Sequence, residues 1–216
     1  MIISRGRRYI FVHAPKTGGT SLALALEDRA MKDDIMLGDT PKAVKRRRRL
    51  QGVQSAGRLW KHSTLADIDG LVSIEELAGF FCFTMVRNPW DRVVSYYHWL
   101  REQSFDHPAV ILAKGTDFAG FIGVEHAQRS LRAASAAHYM RDATGQERCD
   151  CYIRLEHFEA DAAPLFTHLG FRLDLPRVNA SERREDYRSY YSPPLREIVA
   201  RTCAEDIRRF GYLFDP

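Results

Sequence analysis

A short segment near the start of the sequence, from His13 to Ser21, combines one lysine, two adjacent glycines and three hydroxyl side chains. Glycine lets the backbone approach a ligand closely, while lysine and hydroxyl groups supply a positive charge and hydrogen-bond donors. These are the groups that bind a phosphate. We therefore predict an anion-binding loop formed by Lys16, Thr17, Gly18, Gly19, Thr20 and Ser21.

A second set of candidate binding residues follows an apolar run that ends at Val86. Arg87 stands directly after this run, and Ser95 lies two helical turns into the segment beyond it. A guanidinium fork and a hydroxyl suit a second phosphate. On its own, the segment RNPWDR is typical of a capped helix start with surface arginines, and its interest comes from following the first loop.

The elements that must position these residues alternate between strands and helices. An apolar strand is predicted at Tyr9–Val12, followed by the glycine loop and by a helix that would turn its N-terminus toward an anion. A second strand is predicted at Phe80–Arg87. Asn88 is then a helix N-cap with Pro89 at the first helical position. A third strand within 149–158 and two later helices complete an α/β fold with a mostly parallel sheet.

Length and composition limit the class of protein. The chain has 216 residues, 45% of them apolar and 28% charged, which predicts one globular domain over 1–216. A net charge of +4 suits an anionic ligand without indicating nucleic acid. We expect no membrane span and a cytoplasmic location, because the sequence has no run of about 18 apolar residues and no signal-peptide pattern. The four cysteines lack metal-ligand spacing, so no metal is expected.

Two motifs resemble the paired nucleotide-binding motifs of sulfotransferases that use 3′-phosphoadenosine 5′-phosphosulfate (PAPS). They are HAPKTGGTSL at 13–22 and FTMVRNPWDRVVSYY at 83–97. The group most similar to this chain is family 2, which includes bacterial enzymes and carbohydrate sulfotransferases. The resemblance implies a P-loop-like three-layer fold, with a central sheet flanked by helices. It also implies PAPS as co-substrate, with the 5′-phosphosulfate at the first motif and the 3′-phosphate at the second.

Three further segments are similar to the same family. They are KHSTLADI at 61–68, a stretch at 152–170 and the closing segment at 178–214. The resemblance therefore covers most of the chain except roughly 30–58 and 102–135.

The resemblance also assigns roles to individual residues. Lys16 would stabilise the leaving phosphate oxygen, residues 17–21 would hold the 5′-phosphate, and Arg87 with Ser95 would fix the 3′-phosphate. His62, in the KHST segment, is the candidate general base, since an ordinary histidine pKa of about 6.5 suits that task. The alternatives for this role are His13 and His98. The acceptor would be a hydroxyl or an amine, with carbohydrates among the candidates.

Several questions stay open at this stage. In a P-loop kinase or NTPase the lysine follows the last glycine of the loop, whereas Lys16 precedes both glycines, which argues against that class. A non-catalytic nucleotide-binding module is the other alternative. The basic run Lys42–Arg49 is either a solvated segment, as a loop or helix, or a region that attracts an acidic acceptor. Arg183 and Arg184 would close over the nucleotide or lie in solvent.

Overall fold

A computed structural model describes residues 1–176, 184 and 186–215. Its strands are β1 (Ile2–Ser4), β2 (Tyr9–Val12), β3 (Ile35–Met36), β4 (Phe81–Val86) and β5 (Cys151–Arg154). Its α-helices are α1 (Gly19–Asp28), α2 (Pro41–Arg46), α3 (Ile74–Leu77), α4 (Pro89–Glu102), α5 (Pro108–Gly115), α6 (Phe118–Gly123), α7 (Glu125–Ala133), α8 (Ala136–Met140), α9 (Phe158–Asp161), α10 (Ala163–Leu169), α11 (Pro193–Thr202) and α12 (Ala204–Phe210).

The strands form one mixed sheet in the order β3-β1-β2-β4-β5. Strands β2, β4 and β5 are parallel, with Val12 opposite Thr84 and Thr84 opposite Tyr152. Strand β1 is antiparallel to both of its neighbours, so four of the five strands run in one direction. The prediction of an α/β fold with a mostly parallel sheet is therefore confirmed. Because strands β2 and β4 are parallel, their carboxyl ends lie at the same edge of the sheet.

The chain divides into two compact units, and the prediction of a single domain stays a prediction. Of the described residues, the first unit holds 1–86 and 136–176. Its core contains fully buried strand residues such as Phe11 and Phe83, against which Leu22 and Leu26 of α1 and Leu165 of α10 pack. This packing fixes α1 on the sheet, and thereby the loop that precedes it.

The second unit holds residues 87–135, 184 and 186–215 and is helical. Its first helix, α4, begins as predicted. The side chain of Asn88 accepts a hydrogen bond from the backbone N–H of Trp90 at 3.1 Å, and Pro89 takes the first helical position. The same side chain donates to the carbonyl of Leu213 at 2.9 Å, which joins the helix start to the last described residues of the chain. None of the helices in the described part of the chain is long and apolar enough to cross a membrane.

The basic run Lys42–Arg49 forms most of α2 and a 3₁₀ turn at Arg47–Leu50. Three of its members hydrogen-bond to backbone carbonyls of the same unit: the side chains of Lys42, Arg46 and Arg49 donate to residues 27, 34 and 32. The helical form of the prediction is therefore the one observed. Only part of the run's charge is left toward solvent.

Candidate active site

The predicted anion-binding loop joins β2 to α1. Lys16 and Gly18 both have left-handed backbone conformations, with φ values of +64° and +83°. Left-handed residues in such a loop turn successive N–H groups toward one concave side, as in the anion-binding nests of other proteins. A lysine in this conformation costs about 1–2 kcal/mol, and strain of this kind is concentrated at functional sites. Helix α1 has no side-chain cap, so its first N–H groups also face this side.

The hydroxyl groups of the loop differ in their roles. Thr17 is buried, with 2% of its surface exposed, and its hydroxyl donates to the carbonyl of Ala14 at 2.8 Å. The Thr17 hydroxyl proton is used in this hydrogen bond within the loop, so Thr17 can donate to a bound anion through its backbone N–H. Thr20 and Ser21 lie in the first turn of α1 and are partly exposed, which leaves their hydroxyls on the accessible side.

The two glycines are required by close packing as well as by backbone conformation. A Cβ atom on Gly18 would come within 2.8 Å of the Leu155 side chain. A Cβ atom on Gly19 would overlap the imidazole ring of His13. Gly19 and His13 therefore pack directly against each other, and no larger residue fits between the loop and this histidine.

His62 is held beside the same histidine. Its Nδ1 lies 2.7 Å from the backbone carbonyl of His13, and the two rings pack edge to face at 4.8 Å. A carbonyl can only accept, so Nδ1 carries the proton, and the lone pair of neutral His62 is then on Nε2. The structure brings His62 to the glycine loop through His13, in the tautomer that a general base needs.

The expected pKa of His62 was wrong. Burial lowers it from 6.5 to about 4, and this outweighs the hydrogen bond to His13, which raises it; the nearby Lys61 ammonium lowers it further. His62 is therefore neutral throughout the physiological range. Burial also lowers the pKa of His13 well below its ordinary value, with the charges of Lys61 and Lys16 adding to the effect. His13 is only 6% exposed, which makes it a poorer candidate for contact with an acceptor than His62.

The second set of predicted residues lies in the helical unit. The Arg87 side chain pairs with Asp91, with Nη2–Oδ2 and Nε–Oδ2 distances of 2.6 and 2.8 Å, and both side chains are largely buried. Asp91 and Ser95 are four residues apart on α4 and share a face of the helix. The carboxylate therefore fixes the guanidinium close to the helix turn that carries Ser95. Asp91 is a positioning residue for Arg87.

Two other candidates predicted from the sequence, His98 and Arg184, lie in the helical unit. His98 lies on α4, where its ring packs edge-on against Tyr97 and Tyr190. The backbone N–H of Arg184 donates to the Tyr190 hydroxyl at 3.1 Å. Arg183 lies outside the described residues.

Sequence reasoning missed the surroundings of His62 on its other side. The ring of Trp60 packs edge-on against His62 at 5.0 Å, and the Lys61 ammonium pairs with Asp39 at 2.7 Å. Trp60 is 41% exposed, which marks this side of His62 as a candidate binding surface, and the exposure of a side chain is not visible in the sequence. We call the depression beside it, which measures about 330 Å³, the Trp60 cleft; it is lined by Met36, Gly38, Asp39, Ala43, Arg47, Leu50, Arg58, Leu59, Trp60 and Lys61.

The part of the chain that the structure describes contains no group of three or more histidine, cysteine, aspartate or glutamate side chains that could hold a metal ion. The positive groups of the loop are instead Lys16 and the backbone N–H dipoles.

Comparison with known proteins identifies the fold and the family. The mouse sulfotransferase SULT7A1, solved in complex with PAP, superposes with a TM-score of 0.52 and 15% sequence identity, over 95% of this chain and 86% of that one. At this identity the likeness establishes the fold. A comparison with curated protein sequences gave no significant match. The model of the sulfotransferase family matches residues 1–213, which is nearly the whole chain. This protein therefore belongs to the sulfotransferase family.

Proposed function

We propose that this enzyme transfers the sulfuryl group of PAPS to a hydroxyl or amine acceptor, and that a carbohydrate is the leading candidate for the acceptor. The observation that carries the proposal is the glycine loop, in which Lys16 lies in the turn that leads into α1 and Gly19 packs on the histidine whose carbonyl holds His62. The loop thus combines an anion site with a base. The neighbour of similar fold was solved with PAP, which supports the choice of nucleotide.

Each residue has a defined part in this proposal. Residues 17–21 hold the 5′-phosphate through backbone N–H groups and the hydroxyls of Thr20 and Ser21. Arg87 and Ser95 hold the 3′-phosphate, and Asp91 orients Arg87.

The transfer itself needs a proton acceptor and a stabiliser of negative charge. The acceptor oxygen or nitrogen attacks sulfur, and the bond between sulfur and the bridging phosphate oxygen breaks. Nε2 of His62 takes the proton of the acceptor. The Lys16 ammonium stabilises the negative charge that grows on the leaving phosphate oxygen. The nucleotide product is adenosine 3′,5′-bisphosphate (PAP). As in phosphoryl transfer, the protein supplies mainly alignment and charge stabilisation.

Thermal unfolding with different nucleotides tests the proposal. A ligand at a hundred times its Kd adds about 2.7 kcal/mol to the stability of the folded state, which for a chain of this size raises Tm by roughly 5–10 °C. We expect PAP to give such a shift, with chelator present, and ATP to give none. A shift with ATP and magnesium alone would instead identify a P-loop kinase or NTPase.

Turnover separates an enzyme from a non-catalytic binding module. The assay follows release of PAP from PAPS in the presence of sugars, phenols and amines. PAP binding with no turnover of any acceptor would favour the binding module.

A further inference from the structure

The Trp60 cleft lies between a helical segment and the stretch of chain that precedes His62. Helix α2 contributes Ala43, and the 3₁₀ turn after it contributes Arg47 and Leu50. The opposite wall is the segment from Arg58 to Lys61, which leads directly into His62. One wall of the cleft therefore continues into the segment that carries the proposed base.

The charges in the cleft favour an anion. Its lining contains the cations Arg47, Arg58 and Lys61 and a single carboxylate, Asp39. Lys61 holds that carboxylate at 2.7 Å, and this hydrogen bond lowers the pKa of Asp39, so the pair is ionised at neutral pH. Arg47 reaches Asp39 only at 4.0 Å, with most of its side chain exposed. Two guanidinium groups thus remain in excess over the carboxylate.

The cleft also offers a flat apolar surface. Trp60 is 41% exposed, and the guanidinium of Arg58 lies over its ring, 5.2 Å from the centre. The guanidinium on one face and the exposed part of the indole together offer a cation and a flat apolar group, which suit a ring that carries an anionic group. Trp60 also contacts His62, so this residue links the cleft to the proposed base.

We propose that the Trp60 cleft is the acceptor subsite, and that it takes an acceptor in which an anionic group stands beside a flat ring. Arg47 and Arg58 bind the anion, and Trp60 binds the ring. Trp60 keeps the acceptor hydroxyl on the side of His62. This assignment rests on the proposed sulfotransfer function for its catalytic meaning, but binding to the cleft can be measured without nucleotide.

Matched pairs of small probes test the anion requirement. One pair is 4-nitrophenyl β-D-glucuronide and 4-nitrophenyl β-D-glucoside, which differ in one carboxylate on a sugar. The other is 4-hydroxyphenylacetate and 4-hydroxyphenylethanol, which differ in one carboxylate on a phenol. Kd values from ligand-observed NMR are compared for wild type and for the Arg47→Gln/Arg58→Gln double variant. Lys45→Gln/Arg48→Gln is the control, since it also removes two positive charges and neither residue lines the cleft.

We expect the carboxylate member of at least one pair to bind wild type about tenfold more tightly, because exposed ion pairs are each worth a factor of about two to five. Arg47→Gln/Arg58→Gln should lose this preference while the control Lys45→Gln/Arg48→Gln keeps it, and the pair that shows the preference identifies the ring as sugar or phenol. Equal binding within both pairs, or equal losses in the two double variants, would overturn the assignment. The PAP-induced rise in Tm is measured on the same samples. If PAP raises Tm as expected while the probes show no carboxylate preference, the cleft proposal is wrong and the nucleotide site stands. If PAP also gives no rise in Tm, the proposed function is wrong.

Discussion

Replacing His62 by asparagine tests whether this residue is the base or only a support for the loop. The amide nitrogen of asparagine takes nearly the place of Nδ1, so His62→Asn can still donate to the His13 carbonyl but has no group in the place of Nε2. His62→Ala removes both groups. The two variants therefore separate the hydrogen bond that holds the segment from the lone pair that takes the proton.

The structure gives a magnitude for each effect. Losing the 2.7 Å hydrogen bond leaves a buried carbonyl without this donor, which should cost His62→Ala about 1–3 kcal/mol of stability and His62→Asn much less. Loss of a general base should reduce kcat by roughly a hundredfold or more in both variants. The affinity for PAP at pH 7.5 should stay within about twofold of wild type, because neither substitution touches the anion-binding loop.

The pH dependence supplies an independent readout. With its pKa lowered to about 4 in the free protein, His62 should cause no loss of kcat/KM near pH 6.5, because kcat/KM reports the groups of the free enzyme. The acidic limb of the kcat/KM profile should lie below that pH. In His62→Asn that limb should be absent. The same shift affects stability: the unfolded chain binds the proton more readily, so stability is present above pH 6.5 and is lost as the pH falls toward 4. The loss from this residue reaches up to about 3 kcal/mol, so Tm must be recorded at each pH of the activity profile.

The measurements are kcat, the PAP Kd and Tm for wild type and both variants. If His62→Asn restored activity that His62→Ala lost, the residue would be a structural support. An acidic limb that persists at the same pH in His62→Asn would place the base elsewhere, with His13 the next residue to examine.

Three further predictions address the remaining site residues. Lys16→Ala should lower kcat by a hundredfold to a thousandfold, equivalent to about 2.7–4 kcal/mol, with a smaller loss of PAP affinity. Equal losses of kcat and of PAP affinity would show that Lys16 does not stabilise the transition state specifically. Arg87→Ala should weaken PAP binding by about 1.5–3 kcal/mol in titration calorimetry. Binding of adenosine 5′-phosphosulfate, which lacks the 3′-phosphate, should stay nearly unchanged. The same loss for both ligands would contradict the assigned contact. Gly19→Ala should lower stability by about 1–3 kcal/mol in denaturant unfolding and reduce kcat, because the added methyl group displaces His13. In the control Gly115→Ala the methyl group meets open space, so stability should change by less than about 1 kcal/mol. Unchanged stability and kcat in Gly19→Ala would show that the packing between Gly19 and His13 is loose.

The elements that could be predicted from the sequence are those with strong local signals. Strand β2, the glycine loop and α1 follow from an apolar run, two glycines and a helix-forming stretch, and the start of α4 follows from Asn88 and Pro89. Strands β1 and β3 were missed, because segments of three and two residues carry no readable period and form only by pairing with the sheet. The end of the chain, where the last of the two later helices was predicted, holds two helices, α11 and α12, which are separated by Cys203.

For the site, residue types were predictable and environments were not. The roles of Lys16 and the glycines depend on local backbone chemistry, which the sequence displays. The pKa of His62 depends on burial and on contacts with residues far away in the chain, such as the His13 carbonyl. The Trp60 cleft joins α2 to a segment more than ten residues later, so no local pattern could have shown it.

The lowered pKa values in the loop region lead to a last prediction about the nucleotide. Two imidazoles, His13 and His62, are kept neutral by burial and by the ammonium groups of Lys16 and Lys61. A phosphate bound at the loop adds negative charge that opposes both effects, and an opposite charge within 4–6 Å shifts a pKa by about 1–3 units. PAP should therefore raise the pKa of His62, which makes it a stronger base when the nucleotide is present. By linkage, protonation of His62 must strengthen PAP binding by the same free energy, so affinity should rise as the pH falls below 6.5.

The PAP phosphates titrate in this range as well, and His62→Asn retains that contribution while lacking the imidazole. The pKa is read from the His62 Cε1–H resonance with and without PAP, and the PAP Kd is measured against pH for wild type and His62→Asn. Identical pH dependence of Kd in the two proteins, with an unmoved resonance, would show that His62 does not sense the nucleotide.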